Sequence, residues 1–406
     1  MERKLRIAIL SLHSCPCGRL GSRYTGGMNI YIRNMAVELL KQGHRVDIFT
    51  CSHANDHNCR LEYGGHQVNL IHIPAEDFTT VSQLNLDAHV SELCKAVCDY
   101  VTINRMHYDI IHSHYWLSGM VGQELKRIWS VPHVTMFHTL GIIKNETSLG
   151  RLEPPSRIIE EGAIISSCDL IVASTAGEKK SLIDRYDAEP AKVSVIPCGV
   201  NPALFRPLDK QMARAICGVS GRNIILFVGR ADPVKGLENL LKAISLLPHH
   251  NDFHLVIIGG DDSSLSEVRA TVRAWCECGL EDRLRLIGPV PHDQMYLYYN
   301  AADLCVIPSY YESFSLVALE AIACNTPILA TDVGDIKAIS YGCAHCRIIK
   351  NNDPNLLADN IGAVFDVIHQ QLRQPYNLPR QYTWEYISEK IVDCYYKLLT
   401  KAVALT

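Results

Sequence analysis

The chain alternates short apolar runs with longer amphipathic segments along nearly its whole length. Leu5–Leu12 is predicted as the first strand and Met28–Lys41 as the helix after it, and Asn223–Arg230 starts the same rhythm again in the second half. Such alternation predicts parallel sheets, because parallel neighbours are joined by a crossover helix rather than by a tight hairpin. The predicted fold class is therefore α/β, with two doubly wound, Rossmann-like domains.

The length of 406 residues fits two domains of roughly 200 residues each. Cys198–Pro207 is rich in helix and strand breakers and is predicted to be the linker. The predicted domains are 1–200 and 207–380, and the last helix, Trp384–Leu399, could belong to either. Open α/β sheets bind ligands at the carboxyl ends of their strands, so we expect the site in a cleft between the domains.

Composition excludes several classes of protein. The formal charge of -4 provides no broad basic surface, so nucleic acid is not an expected partner. We expect no transmembrane segment, because no apolar run approaches the ~20 residues needed. The 16 cysteines are scattered through apolar segments without a secretory leader, which predicts reduced thiols and a cytoplasmic protein. A homo-oligomer is left open.

The cysteine spacing does not favour a metal site. Cys343–Cys346 is a single C-x2-C, and Cys15–Cys17 and Cys276–Cys278 are C-x-C pairs. None has a second pair at the spacing of a zinc site, so we expect no metal.

Pro308–Pro327 is the most informative segment. It follows an apolar run predicted as a strand and continues into a predicted helix from Ser315 to Cys324, with Ser313 or Ser315 available as a cap. Glu312 then lies in the turn, and Glu320 about two turns along the helix. A helix start favours phosphate, and carboxylates accept hydrogen bonds from sugar hydroxyls. The alternative is a helix that merely carries two exposed acids.

Two further loops could bind phosphate. Arg230 and Lys235 flank the turn after the first strand of the second half, where two cations could neutralise a diphosphate; the alternative is solvated surface charge. Gly26 and Gly27 precede a helix after the first strand, which lets backbone approach a phosphate, although a plain flexible loop fits equally well. There is no G-x-G-x-x-G and no P-loop lysine, which disfavours nicotinamide and ATP sites.

Three histidines end two neighbouring predicted strands, namely His112, His114 and His138. No acidic or cysteine residue stands at ligand spacing, which disfavours zinc. His138, followed by Thr139, suits a hydrogen-bond donor to a sugar or acceptor hydroxyl, whereas His112 fits a buried core position better.

Taken together, these motifs resemble the retaining nucleotide-sugar glycosyltransferases of the sucrose synthase, sucrose-phosphate synthase and mycothiol glycosyltransferase group, which is part of family 4 and has the GT-B fold. The similarity covers nearly the whole chain and is greatest to the inositol-phosphate branch. Its most specific element is the pair of glutamates separated by seven residues. The segments that carry it are Gly26–Tyr31, Ile111–Trp116, Phe137–Leu140, Glu153–Arg157, Gly229–Gly236 and Glu312–Glu320.

The resemblance implies a role for each matching residue. Glu320 would hold the ribose, and Glu312 a hydroxyl of the donor sugar. His138 would lie at the reaction centre, and the C-terminal helix would return to the first domain. The residues implied for the diphosphate are Arg230, Lys235, Gly26, Gly27, Leu316 and Val317. The base would lie against Ile287 and Val290. The residues implied for the acceptor are Asn29, Tyr115, Thr139 and Arg157. No metal or other cofactor is implied.

The chain departs from the family pattern at several positions. Ser315, Asn325 and Asp335 stand where the family usually has glycine, and Ser315 would narrow the donor site. A lysine found in members with phosphorylated acceptors has no counterpart in Ala75–Thr80. The acceptor could therefore be a phosphorylated or a neutral small sugar or cyclitol, with the former favoured slightly.

Three functions fit this pattern. The first is hexosyl transfer from a nucleotide sugar, with uridine diphosphate favoured over guanosine diphosphate. The second is nucleotide-sugar 2-epimerisation, which uses the same fold but needs an acid–base set around the sugar. The third is binding without catalysis, which would be expected to have lost some of the five residues Arg230, Lys235, Glu312, Glu320 and His138.

Overall fold

The computed structural model describes residues 3–18, 25–51, 61–74, 86–147, 149, 152–230, 232–247, 253–260, 266, 269, 272, 283–368 and 376–404. The chain divides into two compact units. Unit 1 comprises Met1–Gly18, Gly27–Cys198 and Trp384–Thr406, and unit 2 comprises Arg19–Gly26 and Gly199–Thr383.

The strands form one parallel sheet in each unit and a small antiparallel pair, β3–β4. Unit 1 contains β1 (Arg6–Leu10), β2 (Arg45–Cys51), β3 (Glu62–Tyr63), β4 (His66–Gln67), β5 (Asn69–Ile73), β6 (Ile110–His114), β7 (His133–Met136), β8 (Leu170–Ala173) and β9 (Val193–Val195). Unit 2 contains β10 (Asn223–Val228), β11 (Phe253–Ile258), β12 (Leu284–Gly288), β13 (Leu304–Ile307), β14 (Ile328–Thr331) and β15 (Cys346–Ile349).

Helices connect the strands. The first six are α1 (Gly27–Lys41), α2 (Leu86–Ile103), α3 (Trp116–Trp129), α4 (Gly141–Glu146), α5 (Pro155–Ser167) and α6 (Ala176–Tyr186). The others in the described chain are α7 (Lys210–Cys217), α8 (Leu237–Ser245), α9 (Met295–Ala301), α10 (Leu316–Ala323), α11 (Ile336–Ile339), α12 (Pro354–Ile368) and α13 (Trp384–Ala404). Short 3₁₀ helices cover Pro190–Lys192, Pro233–Lys235, His292–Gln294 and Arg380–Tyr382.

The order of the strands positions the site residues. Unit 1 has the order β5-β2-β1-β6-β7-β8-β9, and unit 2 has β12-β11-β10-β13-β14-β15. The central strands β10 and β13 are almost continuously apolar and buried, as expected for strands covered on both faces, whereas β6 is equally buried but ends in the polar residues His112, Ser113 and His114. Strand order reverses at β1/β6 and at β10/β13, and ligands of such sheets bind outside the carboxyl ends at this switch point. The predicted α/β class with two Rossmann-like domains is confirmed.

The C-terminal helix α13 packs in unit 1. Its Tyr395 hydroxyl lies 2.7 Å from Nδ1 of His112 on β6. Ser388 accepts a hydrogen bond of 2.6 Å from Gln42, just after α1. The ring of Trp384 contacts the edge of Tyr31 at 5.4 Å between centroids. The fold therefore uses the end of the chain to cover α1 and β6, the elements that lead to the histidines.

Several predictions from sequence need correction. Glu320 is the fifth residue of α10, just over one turn along it rather than two, because the helix begins only at Leu316. β7 ends at Met136, so His138 follows the strand by two residues instead of ending it.

Two helices carried start signals that the sequence prediction did not use. Thr175 accepts a hydrogen bond from the backbone N–H of Glu178 at 2.9 Å and caps α6, and the Glu178 carboxylate accepts from the backbone N–H of Ser174 at 2.7 Å. Asp209 accepts from the N–H of Met212 at 2.8 Å and begins α7.

The described cysteines are free thiols except Cys17, which is disulfide-bonded, so the prediction of uniformly reduced cysteines is wrong there. Among the described residues, no helix is long and apolar enough to cross a membrane.

Candidate active site

A lysine and a glutamate meet where β10 and β13 end. Glu312 lies in the loop between β13 and α10, and Nζ of Lys235 is 2.8 Å from both of its carboxylate oxygens. The hydroxyl of Ser309 donates to the same carboxylate at 2.7 Å. Lys235 ends the short 3₁₀ helix that follows β10. Two residues that are 77 positions apart in sequence therefore form one ion pair at the switch point of the sheet.

Two glycines allow neighbouring loops to lie close to the loop that carries Glu312. Gly236 has φ +72°, and a Cβ there would lie 2.0 Å from the carbonyl oxygen of Pro308, which begins the Glu312 loop. Gly334 has φ +61°, and a Cβ there would lie 2.8 Å from the carbonyl oxygen of Phe314 and 3.1 Å from Cβ of Glu312. Side chains at these two positions would push the Glu312 loop away from its neighbours.

Arg230 lies two residues beyond β10 and is accessible to ligand. Its guanidinium is 3.6 Å from the carboxylate of Asp232, and its side chain is 41% exposed. An ion pair this long and this exposed contributes little to stability.

The helix α10 begins four residues after Glu312, and its first turn carries backbone N–H groups. Ser315 caps the helix through a weak 3.4 Å hydrogen bond from the N–H of Ala318, and Leu316 and Val317 are the first two helical residues. The N–H groups of a first turn have no acceptor within the helix and favour anions. Ser315 has φ +90°, a left-handed conformation that favours glycine, which explains the glycine usual at this position in the family.

Glu320 is held from inside its own unit. Its carboxylate accepts hydrogen bonds from the Tyr299 hydroxyl at 2.8 Å and from Nε2 of His292 at 2.6 Å, and the residue is only 4% exposed. The Phe205 ring packs against His292 at 5.1 Å. Burial and then the nearby Glu320 raise the pKa of Tyr299 far above its usual range, so the phenol stays a donor. A carboxylate has about four acceptor positions, which leaves two for a ligand.

The remaining predicted donor residues lie at strand and helix ends. Ile287 is within β12, and Val290 follows that strand by two residues. Gly27 is the first residue of α1. A Cβ on Gly26 would have no atom within 4 Å among the described residues, so the surrounding space is open.

His138 is the end of a row of aromatic rings in unit 1. Its Nε2 lies 2.9 Å from Nδ1 of His114, and the His114 ring stacks on His112 at 4.4 Å. His138 has φ +62°, which turns its side chain away from the direction that β7 would give it. Tyr31 contacts both His114 and His138 with its ring. The sequence prediction named His114 without giving it a role; the structure makes it the direct neighbour of His138.

Protonation of this row follows from burial. Desolvation, with a contribution from neighbouring histidines, lowers the pKa of His138 to about 3 and that of His114 well below the usual value. Both rings are therefore neutral at neutral pH, and each carries one N–H. Nε2 of His114 is buried without a hydrogen-bond partner among the described residues. A buried orphan N–H is costlier than an orphan lone pair, so the His114 proton belongs on Nδ1 and His138 accepts at Nε2. His138 then has its own proton on Nδ1.

Three of the four predicted acceptor residues form one cluster. Arg157 is completely buried; it donates to the Tyr115 hydroxyl at 3.1 Å, and to the carbonyl and hydroxyl oxygens of Thr139 at 2.8 and 3.1 Å. It also donates to Glu161 at 2.7 Å and lies 3.0 Å from Glu153. These contacts use all five donors of the guanidinium.

The two carboxylates of this cluster differ in access. Glu161 is fully buried and also accepts from the backbone N–H of Gly141 at 2.9 and 3.1 Å and from the Tyr186 hydroxyl. The Glu153 side chain is 17% exposed and is bound by Lys144 as well. Burial works against ionisation of Glu153, but Arg157 and Lys144 hold its pKa below the usual range.

The fourth predicted acceptor residue, Asn29, lies apart from these contacts. Its amide donates to the Ser14 hydroxyl at 2.9 Å and to the Cys15 carbonyl at 2.8 Å, and the residue is buried in α1. Ala75–Thr80, where the family lysine was sought, is outside the described residues. Within the described chain, no group of three or more histidine, cysteine or acidic residues could hold a metal ion.

The families that match this chain follow its division into two units. The model of glycosyl transferases group 1 matches residues 210–367, and that of Glycosyltransferase Family 4 matches residues 25–204. The D-inositol 3-phosphate glycosyltransferase of Nocardia farcinica is 33% identical over 408 residues, covering 97% of this chain and 90% of that protein. The chain belongs to glycosyltransferase family 4. Being a glycosyltransferase of this family, it is an enzyme with the GT-B fold, as predicted.

Other relatives of the glycosyltransferase support the same assignment. The D-inositol 3-phosphate glycosyltransferase of Corynebacterium diphtheriae is 32% identical and covers 96% of this chain and 94% of that protein. Sucrose-phosphate synthase from Thermosynechococcus elongatus superposes with a TM-score of 0.86 at 30% identity, covering 98% of this chain and all of that one. Anabaena HepE, solved in complex with UDP and glucose, shares the fold with a TM-score of 0.75 at 16% identity.

Proposed function

We propose that the protein is a retaining glycosyltransferase that moves a hexosyl unit from a nucleoside diphosphate sugar, preferably a UDP-sugar, to a hydroxyl of a small phosphorylated cyclitol or sugar. The observation that carries this proposal is the contact of Lys235 with both oxygens of Glu312 at the start of α10. It puts a cation for a diphosphate and a carboxylate for sugar hydroxyls within one hydrogen bond of each other.

The donor is assigned to unit 2. The nucleotide ribose would use the two acceptor positions left on Glu320, and the base would lie along Ile287 and Val290. Arg230, Lys235 and the first N–H groups of α10 would neutralise the diphosphate. Stabilising the charge that develops on the leaving diphosphate is the main contribution expected to catalysis, and it needs no metal ion or other cofactor.

The acceptor is assigned to unit 1. The relatives from Nocardia and Corynebacterium are named for D-inositol 3-phosphate, which supports a phosphorylated acceptor. Because the donors of Arg157 are fully engaged, an arriving phosphate must replace one of their acceptors. Glu153 is the partly exposed carboxylate and the one the phosphate would displace. Lys144, which also binds Glu153, would then lie beside the phosphate and supply a second positive charge.

His138 would orient the reacting groups through its neutral ring. Its N–H on Nδ1 donates a hydrogen bond to a donor-sugar or acceptor hydroxyl, while His114 fixes the ring through Nε2. A neutral imidazole at this point adds no charge that would oppose a developing oxocarbenium ion. Catalysis then rests on positioning and on stabilisation of the leaving group.

The acceptor assignment is tested by comparing transfer to matched phosphorylated and unphosphorylated acceptors. Wild type should prefer the phosphorylated acceptor by roughly tenfold or more in kcat/KM, because charge-assisted hydrogen bonds contribute about 1.5–3 kcal/mol. Arg157→Ala should lose that preference. Tyr115→Phe removes one hydroxyl from the same cluster but keeps the buried charge of Arg157. This variant should lose part of the preference for the phosphorylated acceptor. Equal rates of wild type on both acceptors would contradict a phosphorylated acceptor.

A further inference from the structure

Two cysteines form a turn in unit 2 that the proposed transfer reaction does not use. Cys343 follows α11 by four residues, and Cys346 is the first residue of the edge strand β15. The backbone N–H of Cys346 donates to the carbonyl of Cys343 at 3.1 Å. The two Sγ atoms are 2.7 Å apart, with the Cys346 thiol donating, and both residues are half-buried.

The turn has the geometry that a disulfide requires. A hydrogen bond from residue i+3 to residue i closes a β-turn, in which the two Cα atoms lie within about 7 Å. Disulfides form at Cα separations of about 4.4–6.8 Å. The thiols already point at each other, so the bond can form without moving β15. A zinc site is disfavoured, because no third ligand joins this pair in the part of the chain that the structure describes.

The two thiols differ in acidity. The hydrogen bond from Cys346 lowers the pKa of Cys343 to about 7, and the same contact raises the pKa of Cys346. Cys343 therefore ionises more readily than Cys346, and the thiolate is the reactive form. A second pair, Cys94 and Cys98, lies one turn apart on α2, where burial raises the pKa of Cys94 to about 12. That pair is a control within the same molecule.

We propose that Cys343 and Cys346 are a reversible redox site that exchanges with small-molecule disulfides. The Cys343 thiolate attacks one sulfur of the disulfide, forms a mixed disulfide and releases one thiolate. Cys346 then loses its proton and attacks Sγ of Cys343, which expels the second thiolate. The protein dithiol is oxidised by two electrons to a disulfide, and the small disulfide is reduced to two thiols.

The test incubates the folded full-length protein with glutathione buffers of graded oxidation, quenches in acid, alkylates, and maps the peptides by mass spectrometry. The Cys343–Cys346 peptide should become resistant to alkylation and two hydrogens lighter, and dithiothreitol should reverse this. Cys94 and Cys98 should remain alkylated throughout. The rate of oxidation should rise with pH through about 7 and then level off, as the fraction of Cys343 thiolate does.

Single variants assign the order of attack. Cys346→Ser should trap glutathione on Cys343 as a stable mixed disulfide, and Cys343→Ser should leave Cys346 unmodified on the same timescale. The proposal is overturned if both cysteines of the wild type stay alkylated to the same extent as Cys94 and Cys98 in the most oxidising buffer. It is equally overturned if Cys343→Ser still acquires glutathione at the wild-type rate.

Discussion

At the scale of a single residue, Glu320 connects the proposed nucleotide site to the interior of unit 2. It accepts hydrogen bonds from Tyr299 and His292, and under the proposed function its two remaining acceptor positions would hold the ribose. Glu320→Gln retains the shape and removes the charge. Nucleotide affinity measured by calorimetry should therefore fall at least about tenfold, since hydrogen bonds to charged groups contribute roughly 1.5–3 kcal/mol each.

Tyr299→Phe is the matched control for this change. It removes one of the internal hydrogen bonds to Glu320 and leaves the carboxylate available to the ligand. Nucleotide affinity should stay within a few-fold of wild type. If Tyr299→Phe lost as much affinity as Glu320→Gln, or if Glu320→Gln bound as wild type does, Glu320 would be a structural residue only.

Lys235 gives the second prediction at this scale. Lys235→Ala removes the cation from Glu312 and from the proposed diphosphate site, so kcat should fall by roughly 10²-fold or more. Lys242→Ala is the control, because Lys242 forms an exposed ion pair with Glu238 on the adjacent helix α8. That variant should retain activity within about twofold. Steady-state kinetics decide between them, and equal activities of the two variants would remove Lys235 from the site.

The loop after β10 depends on a glycine at the scale of the element. Gly236→Ala would bring Cβ within 2.0 Å of the Pro308 carbonyl oxygen in addition to the cost of its positive φ. Gly218→Ala is the matched control, because Gly218 has φ +60° but, among the described residues, a Cβ there would meet only Arg285, at 3.7 Å. The left-handed conformation alone costs about 1–2 kcal/mol.

Thermal unfolding and donor titration separate the cost of the positive φ from the cost of the close contact with Pro308. Gly236→Ala should lower Tm more than Gly218→Ala does and should also weaken donor binding, since Lys235 and the Glu312 loop move apart. Gly218→Ala should lower Tm modestly and leave donor binding unchanged. If the two variants bound the donor equally well, the close approach at Pro308 would have no functional role.

The elements show what local sequence can and cannot predict. Alternation of apolar and amphipathic segments predicted β1, α1 and β10 to within about two residues at each end, because burial in a parallel sheet leaves a clear local pattern. The contact between His114 and His138 was not predicted, since it depends on a positive φ at His138 and on register between β6 and β7. From the sequence, Arg157 and Glu161 could be recognised only as a pair at i, i+4 spacing. The burial of this pair could not be predicted, because it depends on α4 and α6 folding around it.

For the whole molecule, each unit brings together one group of chemically matched residues beyond the carboxyl ends of its own strands. Unit 2 joins Lys235 to Glu312, and unit 1 joins Arg157 to Tyr115 and Thr139. Under the proposed function the cluster of unit 1 holds the acceptor. An epimerase or a binding protein would not need such a cluster, so these pairings favour transfer over the other two functions that the sequence left open.

The most direct test measures nucleotide release from a panel of nucleoside diphosphate sugars, with and without inositol phosphate acceptors, in EDTA and in added divalent ions. Release should depend on acceptor, be fastest with a UDP-sugar, remain unchanged in EDTA, and give a product with the anomeric configuration of the donor by NMR. Release or sugar isomerisation at the same rate without acceptor would contradict glycosyl transfer. Loss of activity in EDTA that divalent ions restore would contradict a metal-free reaction.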